Sequence, residues 1–215
     1  MENRQHNDRE NDDEGGDGGD PTIFAGKTIT RCHDFYLVGY IKDPIHYTKW
    51  FEIIRNAKEN EIIYFHINSE GGSAFTALQL IRCINESKGI VIASVEGMCL
   101  SAATFILLTA HKVELSLHSL FLFHNYSGVS IGKGREMHDH INAQYQWSQD
   151  LLHTIYKDFL THSEIESVLE NRDIWMNTKE VAERLNKKAA IQKKQEEKQD
   201  EKIVKKRKKK DEPTV

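Results

Sequence analysis

"EIIYFHINSEGGSAFTALQLIRCINESKGIVIASVEGMCLSAATFILLTA", residues 61–110, passes twice through one pattern: an apolar run, a glycine-bearing link, then a stretch with helical spacing. "EIIYFHIN" (61–68) reads as a buried strand and "SEGG" (69–72) as a turn. "SAFTALQLIRCINESK" reads as a helix whose apolar side carries Phe75, Leu78, Ile81, Cys83 and Ile84. "GIVIASV" (89–95) reads as a further strand and "EGMCL" as a short connection. "SAATFILLTAH" is apolar around most of its circumference and is expected to be buried. Upstream, "FYLVGY" (35–40) is strand-like, and Asp43 and Pro44 offer an N-cap and a first-turn proline for a helix over "IHYTKWFEIIRNAKEN". Downstream, "KVELSL" and "LFLFHN" read as short strands, "YSGVSIGKG" as a glycine-containing excursion, and residues 135–162 as one long helix. Repeated β-α units with short links predict an α/β fold, a largely parallel sheet covered by helices.

The ends of the 215-residue chain contrast with this middle. Residues 1–22 hold eight acidic side chains and four glycines with almost nothing to bury, so residues 1–27 are expected to be a disordered acidic tail. The packed domain is expected over 28–185, and residues 186–215 as a basic tail, partly helical or disordered. The net charge of −4 averages two opposite ends and excludes little. Three cysteines, Cys32, Cys83 and Cys99, show no CxxC spacing and point to neither a disulfide framework nor a zinc site. No run of about 18 apolar residues occurs, which argues against secretion and membrane spanning and sets the expectation of a cytoplasmic protein. The "KIVKKRKKK" run is read as a solubilising segment rather than a nucleic-acid site.

In open α/β sheets, sites gather at the carboxyl ends of strands, where loops and helix N-termini converge. "SEGG" and "EGMCLS" both fit that position. Gly71 and Gly72 let the backbone approach a bound group, although a tight turn would need them equally. Ser101 begins a helix, where it serves either as an N-cap or as a hydroxyl beside the Ala102 amide. The GxSxG elbow is missing, since Ala103 stands at the second glycine's place. His124 ends a strand that leads into a loop. Asp173 precedes a short amphipathic helix for which Asn177 is the better cap. Each is unremarkable alone; together they place Ser, His and Asp on three separate loops of one scaffold.

These residues sit in four motifs that resemble the Clp protease proteolytic subunit, a serine peptidase. "YFHINSEGGSAFTALQLIRCI" is similar to its strand-turn-helix segment with an "INSPGG" core. "SVEGMCLSAATFILLTA" resembles its segment with glycine four places before the nucleophile. "LFLFHNYSGVSIGKGREMHDHINAQ" is similar to its "MIHQP" strand, handle excursion and following helix, and "ENRDIWMNTKEVAERL" to its "RDxxMSAxEA" segment. The resemblance spans residues 33–185, in the family's order.

The resemblance implies Ser101 as nucleophile, His124 as general base and Asp173 as the carboxylate orienting the imidazole. It implies an oxyanion hole from the Gly72 and Ala102 amides, and peptide binding along Gly71, Asn125, Tyr126 and Ser127, with the substrate added as a strand beside residues 125–132. That chemistry needs no metal and no cofactor. The expected assembly is a homo-oligomeric ring of seven, or two stacked rings, interlocked by the long helix through His138, Ile141, Tyr145 and Leu152. An ATP-driven unfoldase is the expected partner. Glu70 stands where the family has proline, "CLSAAT" where it has "AASMGA", and "NKKAAIQKKQEEKQ" where it continues to a "GLxD" turn and a final strand. Such divergence with charged tails is similar to phage-encoded relatives that act on capsid or scaffold proteins. The crotonase-like enzymes share the spiral β-α scaffold, but a serine, histidine and aspartate at these motif positions argue against a thioester chemistry. The remaining alternative is a catalytically silent ring subunit or assembly scaffold.

Overall fold

The computed structural model describes residues 29–191. The acidic N-terminal segment and the basic run past residue 191 lie outside the described residues. Chain order is β1 (Arg31–Ile41), a 3-10 turn (Pro44–Tyr47), α1 (Thr48–Asn56), β2 (Glu61–Gly72), α2 (Ala74–Glu86), β3 (Ile90–Leu100), α3 (Ala102–Thr109), β4 (Lys112–Leu115), β5 (Leu120–Phe123), α4 (Gly134–Tyr156), α5 (His162–Leu169) and β6 (Ile174–Asn177). A helix α6 over 178–191 follows. The strands form one sheet in the order β1-β2-β3-β5-β6, in which all pairs are parallel except the antiparallel β5 and β6. The first half of β3 pairs with β4 and its last residues with β5. The fold is α/β, as the alternation of elements predicts.

Alternation along the strands explains the layering. Phe35 and Leu37 of β1, Ile63, Phe65 and Ile67 of β2, and Val91, Ala93 and Val95 of β3 point to one buried face. Ile54 of α1, Leu80, Cys83 and Ile84 of α2, and Ile106 of α3 are fully buried in the same core. Each large aliphatic side chain so buried contributes about 1.5–3 kcal/mol relative to exposure. Residues Ala102–Leu108 of α3 are all buried, in keeping with the helix's all-round apolar character.

Several local expectations are corrected. "SEGG" and "EGMCL" are strand rather than turn and connection, because sheet pairing continues through them. β1 and β2 absorb a bulge between Val38 and Tyr40, and β2 and β3 another between Ile67 and Ser69. Residues 135–162 are not one helix: α4 ends at Tyr156, and α5 starts at His162 with Thr161 as its N-cap. There the Thr161 hydroxyl accepts from the Glu164 amide while the Glu164 carboxylate accepts from the Thr161 amide. The Asp43 side chain makes no cap hydrogen bond, and Pro44 opens the 3-10 turn that leads into α1. Phe75 is 65% exposed rather than part of α2's buried side, and Leu152 is buried within its own chain rather than free for a ring interface. Asn177 does cap α6: its Oδ1 accepts from the Glu180 amide at 3.1 Å. That helix passes residue 185 without a break, and the Lys188 ammonium donates to the Leu108 carbonyl at 2.7 Å.

Candidate active site

Two serines open helices at the ends of neighbouring strands, and they behave differently. Ser73 caps α2, its hydroxyl accepting from the Thr76 amide. Ser101 holds the same position at α3, yet its hydroxyl makes no cap bond. Its backbone lies at φ 55°, ψ −129°, in a region that costs a non-glycine residue about 1–3 kcal/mol. The surroundings hold it there. The Ser101 amide donates to the Leu122 carbonyl of β5 at 2.9 Å, and its carbonyl accepts from the Thr104 amide and hydroxyl at 2.9 and 2.6 Å. The Thr104 hydroxyl in turn meets the buried Tyr156 hydroxyl of α4 at 2.8 Å.

The glycine pair completes this corner. A Cβ on Gly71 would stand 2.5 Å from the Ser101 Cβ and 2.7 Å from the Leu100 carbonyl oxygen, and Gly71 has φ +91°. A Cβ on Gly72 would stand 2.4 Å from the Ile41 carbonyl oxygen. Gly71 therefore packs behind Ser101 and is absent from the cavity wall, so its expected role in binding peptide becomes one of positioning the serine. Ser69, which sequence reasoning passed over, is fully buried and pins the turn: its hydroxyl donates to the Gly39 carbonyl at 2.6 Å and accepts from the Gly71 amide at 3.1 Å.

Ser101 opens into a cavity of about 370 Å³ shared with Gly72, Ala102, His124, Asn125, Tyr126 and Ser127. Ala102 is the first residue of α3, and the first amides of a helix have no partner within it. Glu70 brings a carboxylate to the rim. Helix α4 also lines the cavity, through Trp147, Leu151 and Leu152, with Phe75 of α2 stacked on Trp147 at 5.2 Å. Burial pushes the thiol of Cys99, a β3 residue just upstream of this corner, well above its ordinary range, so it is unsuited to act as a nucleophile.

His124 follows β5 and Asp173 precedes β6. The last antiparallel pair is Phe123 with Ile174, so continuing the register by one residue sets 124 opposite 173. Asp173 is exposed and does not line the cavity. Among the described residues no hydrogen bond joins Ser101 to His124 or His124 to Asp173. The structure thus brings Ser101 and His124 to one cavity and leaves Asp173 beside it. Asn125 is buried: its amide group donates to the Leu169 carbonyl at 3.3 Å and to Asn171 Oδ1 at 3.2 Å, which anchors the 124–127 loop to the end of α5.

A family model described as Clp protease matches residues 39–184, more than half of the chain. The chain belongs to the Clp protease family, and so to a family of peptidases. No individually curated protein matches it. Among the described residues no helix is long and apolar enough to cross a membrane.

Proposed function

We propose that this protein is a serine-type endopeptidase that cleaves extended or unfolded polypeptides, with Ser101 as nucleophile, His124 as general base and Asp173 orienting the imidazole. One observation carries the reading above the others: Ser101 is held in a strained strand-to-helix corner with its hydroxyl unused for capping, in the same cavity as His124. The Ser101 Oγ attacks the scissile carbonyl carbon while His124 takes its proton. The amides of Gly72 and Ala102 receive the developing oxyanion, each such donor lowering the barrier by about 3–4 kcal/mol. His124 then protonates the leaving amine, and water hydrolyses the acyl-enzyme with His124 again as base. The aromatic pair Phe75 and Trp147 favours an apolar side chain next to the cleaved bond.

The proposal extends to a homo-oligomeric ring, single or stacked, supplied by an ATP-driven unfoldase in the cytoplasm. Ile141 and Tyr145, half-exposed on α4, are the side chains offered to such an interface. A second reading, a silent ring subunit, draws support from the unmade His124 hydrogen bonds. Catalytic hydrogen bonds often tighten only when substrate binds, which favours the active reading. The two are separated by assaying the full chain on a fluorogenic peptide pool, with electron microscopy of the same sample. Turnover that Ser101→Ala abolishes supports the peptidase; a well-formed ring with no turnover on any peptide supports the silent subunit.

A further inference from the structure

Away from the cavity, the last turn of α4 and the first two turns of α5 bring His153, His162 and Glu166 together. The Glu166 Oε1 lies 3.0 Å from His153 Nε2 and 3.9 Å from His162 Nε2. One donor atom from each residue can be chosen so that all three lie within 4.8 Å of one another. The two imidazoles stack with centroids 5.5 Å apart and planes 28° from parallel, so their Nε2 edges face the same carboxylate.

We propose that His153, His162 and Glu166 form a binding site for one divalent transition-metal ion of the zinc class. Three nitrogen and oxygen donors at about 2.0–2.1 Å from a tetrahedral ion stand about 3.3 Å from each other. The two contacts to Glu166 bracket that spacing, and since no donor gap exceeds 4.8 Å, closing the widest takes a shift of about 1.5 Å at most, within reach of side-chain rotation at the surface. Two imidazoles with one carboxylate suit zinc, cobalt or nickel and disfavour magnesium or calcium, which take oxygen donors. Water completes the fourth position.

The placement gives the ion a consequence. His153 belongs to α4, the helix that walls the cavity through Trp147 and Leu151. His162 and Glu166 belong to α5, whose end holds Asn125 through the Leu169 carbonyl. A bound ion bridges these two helices across the link 157–161 and ties the cavity's outer wall to the loop that carries His124. A plain histidine–glutamate ion pair needs neither the second imidazole nor any metal, which is what the test separates.

The test is titration of the full chain with Zn²⁺ in competition with a chromophoric chelator, repeated with Co²⁺ to read its visible ligand-field absorption, alongside thermal unfolding with and without Zn²⁺. The expected result is one site per chain, weakened about tenfold or more in His153→Ala, His162→Ala and Glu166→Gln. A Zn²⁺-dependent rise in Tm disappears in each variant. The His162 side chain is 82% exposed, so His162→Ala leaves the core untouched and reports on the ion alone. Equal Zn²⁺ affinity in wild type and His162→Ala, with an unchanged Co²⁺ spectrum, overturns the proposal. None of this depends on peptidase activity.

Discussion

The two walls that meet at Ser101 and His124 are built to different standards. On the Ser101 side, buried strands, two glycines without room for a Cβ, and hydrogen bonds to β5 and Thr104 hold a strained backbone in one conformation. On the His124 side, the strands end, Asp173 is exposed, and the imidazole makes no hydrogen bond among the described residues. The difference teaches that the Ser101 corner is a property of the core, whereas alignment of the His124 imidazole is left to the sheet edge and the Asn125 loop. Strain can be stored only where packing over-determines the backbone.

The strongest way to break this comparison is to cut chemistry at the open wall without touching the core. His124→Ala is expected to lower kcat/KM on peptides about 10⁴-fold or more, and Asp173→Asn about 10²–10⁴-fold with little change in KM. Asp173→Asn should shift urea unfolding by no more than about 0.5 kcal/mol, since the carboxylate is exposed. A large stability loss for that variant would place Asp173 in the packing instead.

On the rigid wall the opposite pattern is expected. Gly71→Ala should destabilise by about 2–4 kcal/mol and abolish turnover together, because its methyl meets Ser101 and the Leu100 carbonyl. Gly39→Ala shares a positive φ of +70° but has open space around its Cβ, so it should cost only about 1 kcal/mol. Denaturant unfolding of the pair tests whether contact or backbone angle dominates.

The open wall also rests on an ion pair one helix away. Arg184 of α6 donates to both Glu164 oxygens at 2.8 and 2.7 Å, and this, with the Thr161 hydrogen bonds, holds the Glu164 carboxyl down at about 2. A carboxylate lowered in the folded state stabilises above its unfolded value and loses that stabilisation as the pH falls toward the folded one. After allowing for water at a partly exposed pair, the contribution is about 1–2 kcal/mol. The stability gap between wild type and Glu164→Gln should be full at pH 6–7 and shrink between about pH 4.5 and 2. A gap independent of pH would assign it to packing. Of similar size, Ser101→Gly should stabilise by about 1 kcal/mol by releasing the backbone strain, while Ser101→Ala should not.

Much of the rigid wall was legible. Apolar runs placed β1, β2 and β3, the all-round apolar character of α3 predicted its burial, and serine after a glycine-bearing link marked the corner. Strand ends were not, because "SEGG" and "EGMCL" carry turn residues that sheet pairing overrides, although Gly39 inside a strand pattern is itself a bulge signal. The break between α4 and α5 was also written locally, as Thr161 followed three residues later by Glu164. The open wall was less legible, for its parts are joined by pairing across about fifty residues. Nothing near His124 announces that Asp173 lies opposite it, and nothing near Phe75 announces Trp147.

The most direct test of an activated Ser101 is intact-mass measurement of the full chain after treatment with a fluorophosphonate. One adduct per chain, mapped to the peptide containing Ser101 and lost in both Ser101→Ala and His124→Ala, is the predicted result. An assembled protein that takes up no adduct, or one labelled equally well without His124, would contradict the account.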